Sequence, residues 1–334
     1  MPDGREIPAL RSLAEVSATT PATSWTWRKW LSNGTVSIVA GPTGAGKTLC
    51  VTALLRSIIT GCPFPDGQLP PARPYPGNAV LMDYELMGNF NTDRALALGI
   101  PLGNILIQPQ FNIPYLNRPD NIPLLADWLA YYDARILVID SWRRGNPGTN
   151  ENDAADNATV ADGLHQLAIA ANIPVVILMH TRKQPLTGKW TLTYDDVRGA
   201  NSLVAVAHSV IVVEKPSATS EVRRLRVDKA NDAAIPPAVH FEMKTAPDGE
   251  TVDFQWVDGP VLEDELSPSQ RVGRKAAPGT KAERLVGQSL LDGNTHYSTI
   301  RAGLKRPLSE TTFYRALRSI ATKDEDENWT LKTE

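Results

Sequence analysis

The sequence predicts an α/β fold: a mostly parallel sheet covered by helices on both faces, continued at one edge by antiparallel strands, with a small helical unit behind it. Three observations carry that prediction. Short runs of Val, Ile and Leu recur with helix-length segments between them, and a glycine-rich turn follows the first of these runs. After residue 214 the pattern changes to short strands that alternate polar and apolar residues. Continuous apolar runs belong to strands buried on both faces, whereas alternation belongs to strands with one wet face.

Taken in order, residues 36–40, 79–83, 104–108, 135–140, 174–179 and 208–214 read as buried strands. The segment 155–172 reads as a helix, with Val160, Leu164, Leu167, Ala168 and Ala171 on one face. Three alternating stretches, EVRRLRVDKA, AVHFEMK and TVDFQWV, read as the antiparallel extension, the last two separated by the turn residues Ala246-Pro247-Asp248-Gly249. Residues 263–280 form a linker that includes the Pro/Gly/Ser-rich stretch 267–280. The expected boundaries are an N-terminal arm at 1–30, an α/β domain at 31–262 and a small domain at 281–334.

Composition narrows the function classes. A chain of 334 residues with 42% hydrophobic and 21% charged residues has room for one large core and a small one. The net charge of −3 gives no global attraction for nucleic acid, so any basic surface is local. One such surface is residues 271–320, with ten Lys or Arg against three acids. Cys50 and Cys62 are too few for a disulfide framework and read as reduced thiols. The start of the chain lacks a basic segment followed by an apolar core. The longest apolar run, LVAVAHSVIVV, is too short for a bilayer and contains His208 and Ser209. A cytoplasmic protein without a membrane partner is expected.

The glycine-rich turn is Gly41-Pro42-Thr43-Gly44-Ala45-Gly46-Lys47-Thr48, which fits G-x-x-x-x-G-K-[ST] between a strand and a helix. Glycines let backbone N–H groups turn inward around phosphates at the positive end of the helix. Lys47 is placed to reach the β and γ phosphates of ATP, and Thr48 to set its hydroxyl on Mg²⁺. A second carboxylate on the metal side is expected from Asp140, which ends the run RILVID. Hydrolysis also needs a base to orient water. Asp83 and Glu85 both lie at the end of AVLMDYE, expected beside the phosphate-loop strand, and alternation places both on one face. The longer reach favours Glu85. His180, at the end of PVVILMH beside the Asp140 strand, is placed to bond the γ-phosphate and report its loss.

Together these motifs resemble the RepA-type hexameric plasmid replicative helicases, a group of RecA-like P-loop ATPases. The resemblance runs through NGTVSIVAGPTGAGKT, AVLMDYEL, ILIQP, ILVIDSWRRG, VVILMHTRK, RGANSL and VDKAN, over roughly residues 30–245. It implies a homo-hexameric ring in which ATP sits between subunits, with the 1–30 arm making subunit contacts. It identifies Glu85 as the catalytic glutamate and His180 as the histidine used where RecA recombinases carry glutamine. It places a loop facing single-stranded DNA at 183–198, bordered by Lys183 and Arg198 and containing Lys189. It also implies a trans-acting cation among Arg224, Arg226 and Lys229, with Arg224 where the family's finger falls.

Outside the resemblance, Trp25, Trp27 and Trp30 are open to adenine stacking, subunit contact or core packing, and the size of Trp favours the core. Residues 281–334 resemble a winged helix-turn-helix: KAERLVGQSLLDG, STIRAGL and SETTFYRALRSIA read as helices and ENWTLK as a wing strand. Its last helix starts at a Ser309 cap with Glu310 in the first turn, and would present Thr311, Thr312, Tyr314, Arg315 and Arg318 to a DNA groove. Origin DNA or a replication initiator is the expected partner of this domain. The expected function is an ATP-driven replicative helicase of a plasmid, phage or other mobile element. Two alternatives share the features: a recombination or repair ATPase that forms filaments, and an ATP-switched DNA-binding regulator or loader without unwinding.

Overall fold

The computed structural model describes residues 10–19, 23–118, 120–148, 154–181, 192–197, 201–215, 221–231, 233–245 and 252–257, and in the C-terminal part 299–300, 317, 321–323 and 328–331. The chain divides into two units, residues 1–260 and 261–334. In the first, α1 (Leu13–Thr19) precedes a two-stranded ribbon of β1 (Trp25–Trp27) and β2 (Leu31–Ser32). There follow β3 (Val36–Gly41), α2 (Lys47–Thr60), β4 (Asn78–Asp83), α3 (Gly88–Ala97), β5 (Ile105–Ile107), α4 (Asn121–Tyr131) and β6 (Ala134–Asp140). The unit continues with α5 (Trp142–Gly145), α6 (Ala154–Ala171), β7 (Val175–His180), α7 (Asn201–Val206), β8 (Ser209–Glu214), β9 (Val222–Ala230), β10 (Val239–Thr245) and β11 (Val252–Val257).

Among the described residues β3 to β11 form a nine-stranded sheet in the order β11-β10-β9-β8-β3-β7-β6-β4-β5. The pairings from β5 across to β8 are parallel, and those joining β8, β9, β10 and β11 are antiparallel. The buried strands explain the apolar runs. Along β3, Val36, Ile38 and Ala40 enter one hydrophobic cluster with Leu164 and Leu167 of α6. Val39 enters the opposite cluster with Leu54 and Ile58 of α2. Both faces are dry, so both residue parities are apolar.

Two expectations are corrected. The AVLMD strand, β4, is not beside the phosphate-loop strand: β6 and β7 lie between it and β3. Crossover connections in such sheets skip strands, and β3's two parallel neighbours come from later in the chain, β7 and β8. The 104–108 run is not fully buried either. It supplies β5, the outermost parallel strand, where Ile105 and Leu106 are half-buried and Ile107 is exposed.

The expected core role of the tryptophans holds for two of the three. Trp27 and Trp30 are each 1% exposed and stack with centroids 4.2 Å apart, with Phe64 stacked 5.0 Å from Trp27. Trp27 Nε1 donates to the Asp66 carboxylate at 3.0 Å, so the ring is buried without orphaning its donor. In the second unit, β12 (Ala321–Lys323) pairs antiparallel with β13 (Trp329–Leu331), which places a strand within ENWTLK. Apart from 299–300 and 317, the expected helices of 281–334 fall outside the described residues, as does most of the linker. Among the described residues no helix is long and apolar enough to cross a membrane.

Trp27→Ala removes the middle ring of a three-ring stack and is expected to cost about 3–5 kcal/mol of stability. Urea denaturation checks this, and nucleotide affinity per folded molecule is expected to stay unchanged because the ring is remote from the site described next.

Candidate functional site

Parallel pairing puts the carboxyl ends of neighbouring strands at one edge, which is where open α/β sheets bind ligands. Here the register is level: Gly41 of β3 pairs with His180 of β7, and Asp83 of β4 pairs with Asp140 of β6. The side chains singled out in the sequence therefore arrive at one edge from four different strands.

The turn after β3 is built on backbone that only glycine adopts easily. Gly44 and Gly46 have φ of 76° and 90°, and Gly46 caps α2. Gly41 answers a different need, because a Cβ there would lie 2.5 Å from the Val213 carbonyl oxygen of β8. Lys47 folds back over the loop, where its Nζ donates to the carbonyls of Gly41 and Pro42, both at 3.0 Å. The same Nζ lies 3.3 Å from His180 Nδ1. Burial lowers the Lys47 ammonium to about 8, against the pull of the Asp140 and Glu85 carboxylates. A phosphate oxyanion would offset that burial.

Thr48 Oγ1 donates to Asp140 Oδ2 at 2.7 Å. Burial pushes Asp140 up to about 6 in spite of that hydrogen bond, with Glu85 and Asp83 adding repulsion. A hydroxyl and a carboxylate held together suit a hard cation that keeps most of its waters, so the donor set fits Mg²⁺. Ser141, next to Asp140, donates through Oγ to Glu85 Oε1 at 3.2 Å.

Asp83 and Glu85 separate. The strand ends at Asp83, so alternation does not govern Glu85. Asp83 is buried, accepts from Asn91 Nδ2 at 3.0 Å, and has its own N–H and C=O held by the Gln108 side chain at 2.7 Å each. Glu85 lies in the turn and lines the pocket, whereas Asp83 does not.

That pocket has a volume of about 650 Å³. Thr43, Gly44, Gly46, Lys47, Thr48, Glu85, Asp140, Ser141 and His180 line it, together with Phe90 and Arg94 of α3 and Met243 and Val252 of the β10–β11 hairpin. The hairpin approaches closely: a Cβ on Gly46 would run into Met243 Sδ.

Other expectations fare differently. Arg224 is 3% exposed and ion-paired to Glu214 of its own chain at 2.5 Å, so it is not presented to a neighbouring copy. Arg226 is equally buried and bonds Glu214, Asp228 and the Leu192 carbonyl. Lys229 is half-buried, and its Nζ donates to the carbonyls of Val204 and Ala207 at 2.7 and 2.8 Å. Lys183, Lys189, Arg198, Arg315 and Arg318 lie outside the described residues. Sequence reasoning passed over Ser141, Gln108 and Glu214. Of these Glu214 left a signal, an acid closing an otherwise apolar strand opposite the run RRLR.

No curated protein matches the sequence significantly. Among solved structures, an excised ATPase domain aligns with a TM-score of 0.51 at 12% identity, covering 69% of this chain and 92% of that one. The RadB recombinase gives a TM-score of 0.44 at 14% identity, covering 64% of this chain and 89% of that one. The first of these likenesses, with the level strand ends and the glycine turn, identifies the fold as that of a RecA-like P-loop ATPase. A family model described as an AAA domain matches residues 5–185, more than half of the 334 residues, and the chain belongs to that family.

Proposed function

We propose that this chain is an ATP-hydrolysing motor that assembles as a ring and moves along single-stranded DNA, unwinding duplex ahead of it. The observation that supports it best is the convergence of Lys47, Thr48, Asp140, Glu85 and His180 on one pocket from four strand ends. The motif series shared with plasmid replicative helicases supports the DNA role.

In this reading the backbone N–H groups of 43–48 and the Lys47 ammonium hold the phosphates of ATP. Mg²⁺, held by Thr48 and Asp140, supplies positive charge to the phosphate oxygens when bound. Glu85 accepts a proton from the attacking water and orients it, and its bond to Ser141 fixes the carboxylate toward the Asp140 side of the pocket. His180 bonds the terminal phosphate and passes its loss to residues 183–198, the proposed DNA-facing loop, with Lys183, Lys189 and Arg198 on its strand-contacting surface. A cation from the neighbouring copy completes the site. With Arg224 and Arg226 committed to Glu214, Lys229 is the remaining candidate. The 281–334 unit acts as a winged helix that meets origin DNA or an initiator through Arg315 and Arg318.

The site is destabilising to the nucleotide-free fold. Asp140 titrates near 6 when folded against an ordinary 3.8. The unfolded chain therefore loses this proton first as pH rises, and stability falls between about pH 4 and 6 and stays reduced above. Asp140→Asn removes that penalty while keeping an acceptor for Thr48. Without nucleotide or Mg²⁺, the variant is expected to melt several degrees above the wild type at pH 7.5 and to lose most of that advantage at pH 4.5, read by scanning fluorimetry.

The function itself is tested by ATP-dependent strand displacement from forked DNA. The wild-type chain is expected to release the strand and Lys47→Ala to leave it annealed. Hydrolysis stimulated by DNA without displacement would sink the unwinding role and leave an ATPase of another kind.

A further inference from the structure

Residues 192–197 lead back toward β7 and make a single bridge with it, Thr181 to Val197. Leu192 is fully buried, and buried backbone groups need partners. Side chains of β8 and β9 supply them. Leu192 N–H donates to Glu214 Oε2 at 3.1 Å, and the Leu192 carbonyl accepts from Arg226 Nη2 at 2.5 Å. Tyr194 N–H donates to Asp228 Oδ2 at 2.8 Å. Asp228 in turn pairs with Arg226, and Arg224 and Arg226 both pair with Glu214. Two arginines and two carboxylates thus balance one another and grip three backbone groups of one short segment.

A buried ionic cluster is a poor device for stability, since apolar residues of equal volume do as well or better. Its value lies in register. Holding both the N–H and the C=O of Leu192 allows one placement of the segment along the sheet, where a sliding apolar contact would allow several. The cluster also adjoins the nucleotide site. Val213, one residue before Glu214, abuts Gly41, while Thr181 N–H, one residue after His180, donates to the Gly41 carbonyl at 3.2 Å.

We propose that Glu214, Arg226 and Asp228 are positioning residues that hold 192–197 in register beside His180, and that the response of ATP hydrolysis to single-stranded DNA depends on this hold. The DNA half of the proposal rests on the function proposed above. The clamp half does not.

The test uses the full chain, an oligo-dT probe and Asp228→Ala, which removes the Tyr194 acceptor at the least buried corner of the cluster. Thermal melting confirms folding. Amide exchange at Tyr194 is expected to speed up at least about tenfold. The oligo-dT concentration for half-maximal stimulation is expected to rise about tenfold, with DNA-free hydrolysis within about twofold of wild type. Asp228→Asn, which keeps an acceptor for Tyr194, is expected to restore most of both. If Asp228→Ala does not fold, Arg226→Lys serves, because it keeps the charge beside Glu214 but gives up the fork that reaches Leu192. Unchanged exchange overturns the clamp. Faster exchange with a wild-type DNA response overturns the coupling. A wild-type chain whose hydrolysis ignores DNA overturns the coupling together with the proposed function, while the exchange arm still decides the clamp.

Discussion

Hydrogen-bond register in the parallel half of the sheet is the constraint on which the rest of the site depends. Gly41 pairs with His180 and Asp83 pairs with Asp140, so the strands carrying the phosphate loop, the histidine and the two acids end at one level. A one-residue slip in any of these pairings would send the affected side chains to the opposite face. The dry clusters on both sides forbid it: β3 buries Val36, Ile38 and Ala40 on one face and Val39 on the other. The core is in this sense the positioning device of the site. Four strand ends held by apolar packing bring together groups that are more than a hundred residues apart in sequence.

The price of that convergence is electrostatic. Lys47 and Asp140 are both buried enough to shift toward their neutral forms, Lys47 to about 8 and Asp140 to about 6. Each is only partly compensated, by two carbonyls in one case and one hydroxyl in the other. Substrate phosphates and a divalent cation carry the charges these two groups oppose, so binding relieves both. The Glu214 cluster shows the contrasting solution. There two arginines and two acids neutralise one another within the chain, and the result holds backbone rather than ligand.

Much of the fold was legible because it rests on local pattern. Apolar runs marked six parallel strands, alternation marked three antiparallel ones, and the glycine turn marked itself. Strand order was not legible. An apolar run shows that a strand is buried, not which strand lies beside it, so β4 was expected next to β3 when two strands intervene. The same limit applies to side-chain partners. Arg224, Arg226 and Lys229 read as available cations because the sequence shows charge but not what meets it: for the first two, Glu214 ten and twelve residues away; for the third, two carbonyls near the end of α7. Glu85 was separated from Asp83 by reach, and the structure adds a physical reason. Asp83 is enclosed by Asn91 and Gln108, while Glu85 faces the pocket.

The central claim is that one nucleotide is read at once by the phosphate loop, Thr48 with Asp140, Glu85 and His180. A crystal structure of the chain with Mg²⁺ and a non-hydrolysable ATP analogue tests it most directly. The account predicts the terminal phosphate within about 3 Å of both Lys47 Nζ and a His180 ring nitrogen, the metal against Thr48 and the Asp140 side, and a water between Glu85 and the phosphorus. A terminal phosphate out of reach of His180, or a metal bound away from Thr48, would contradict it.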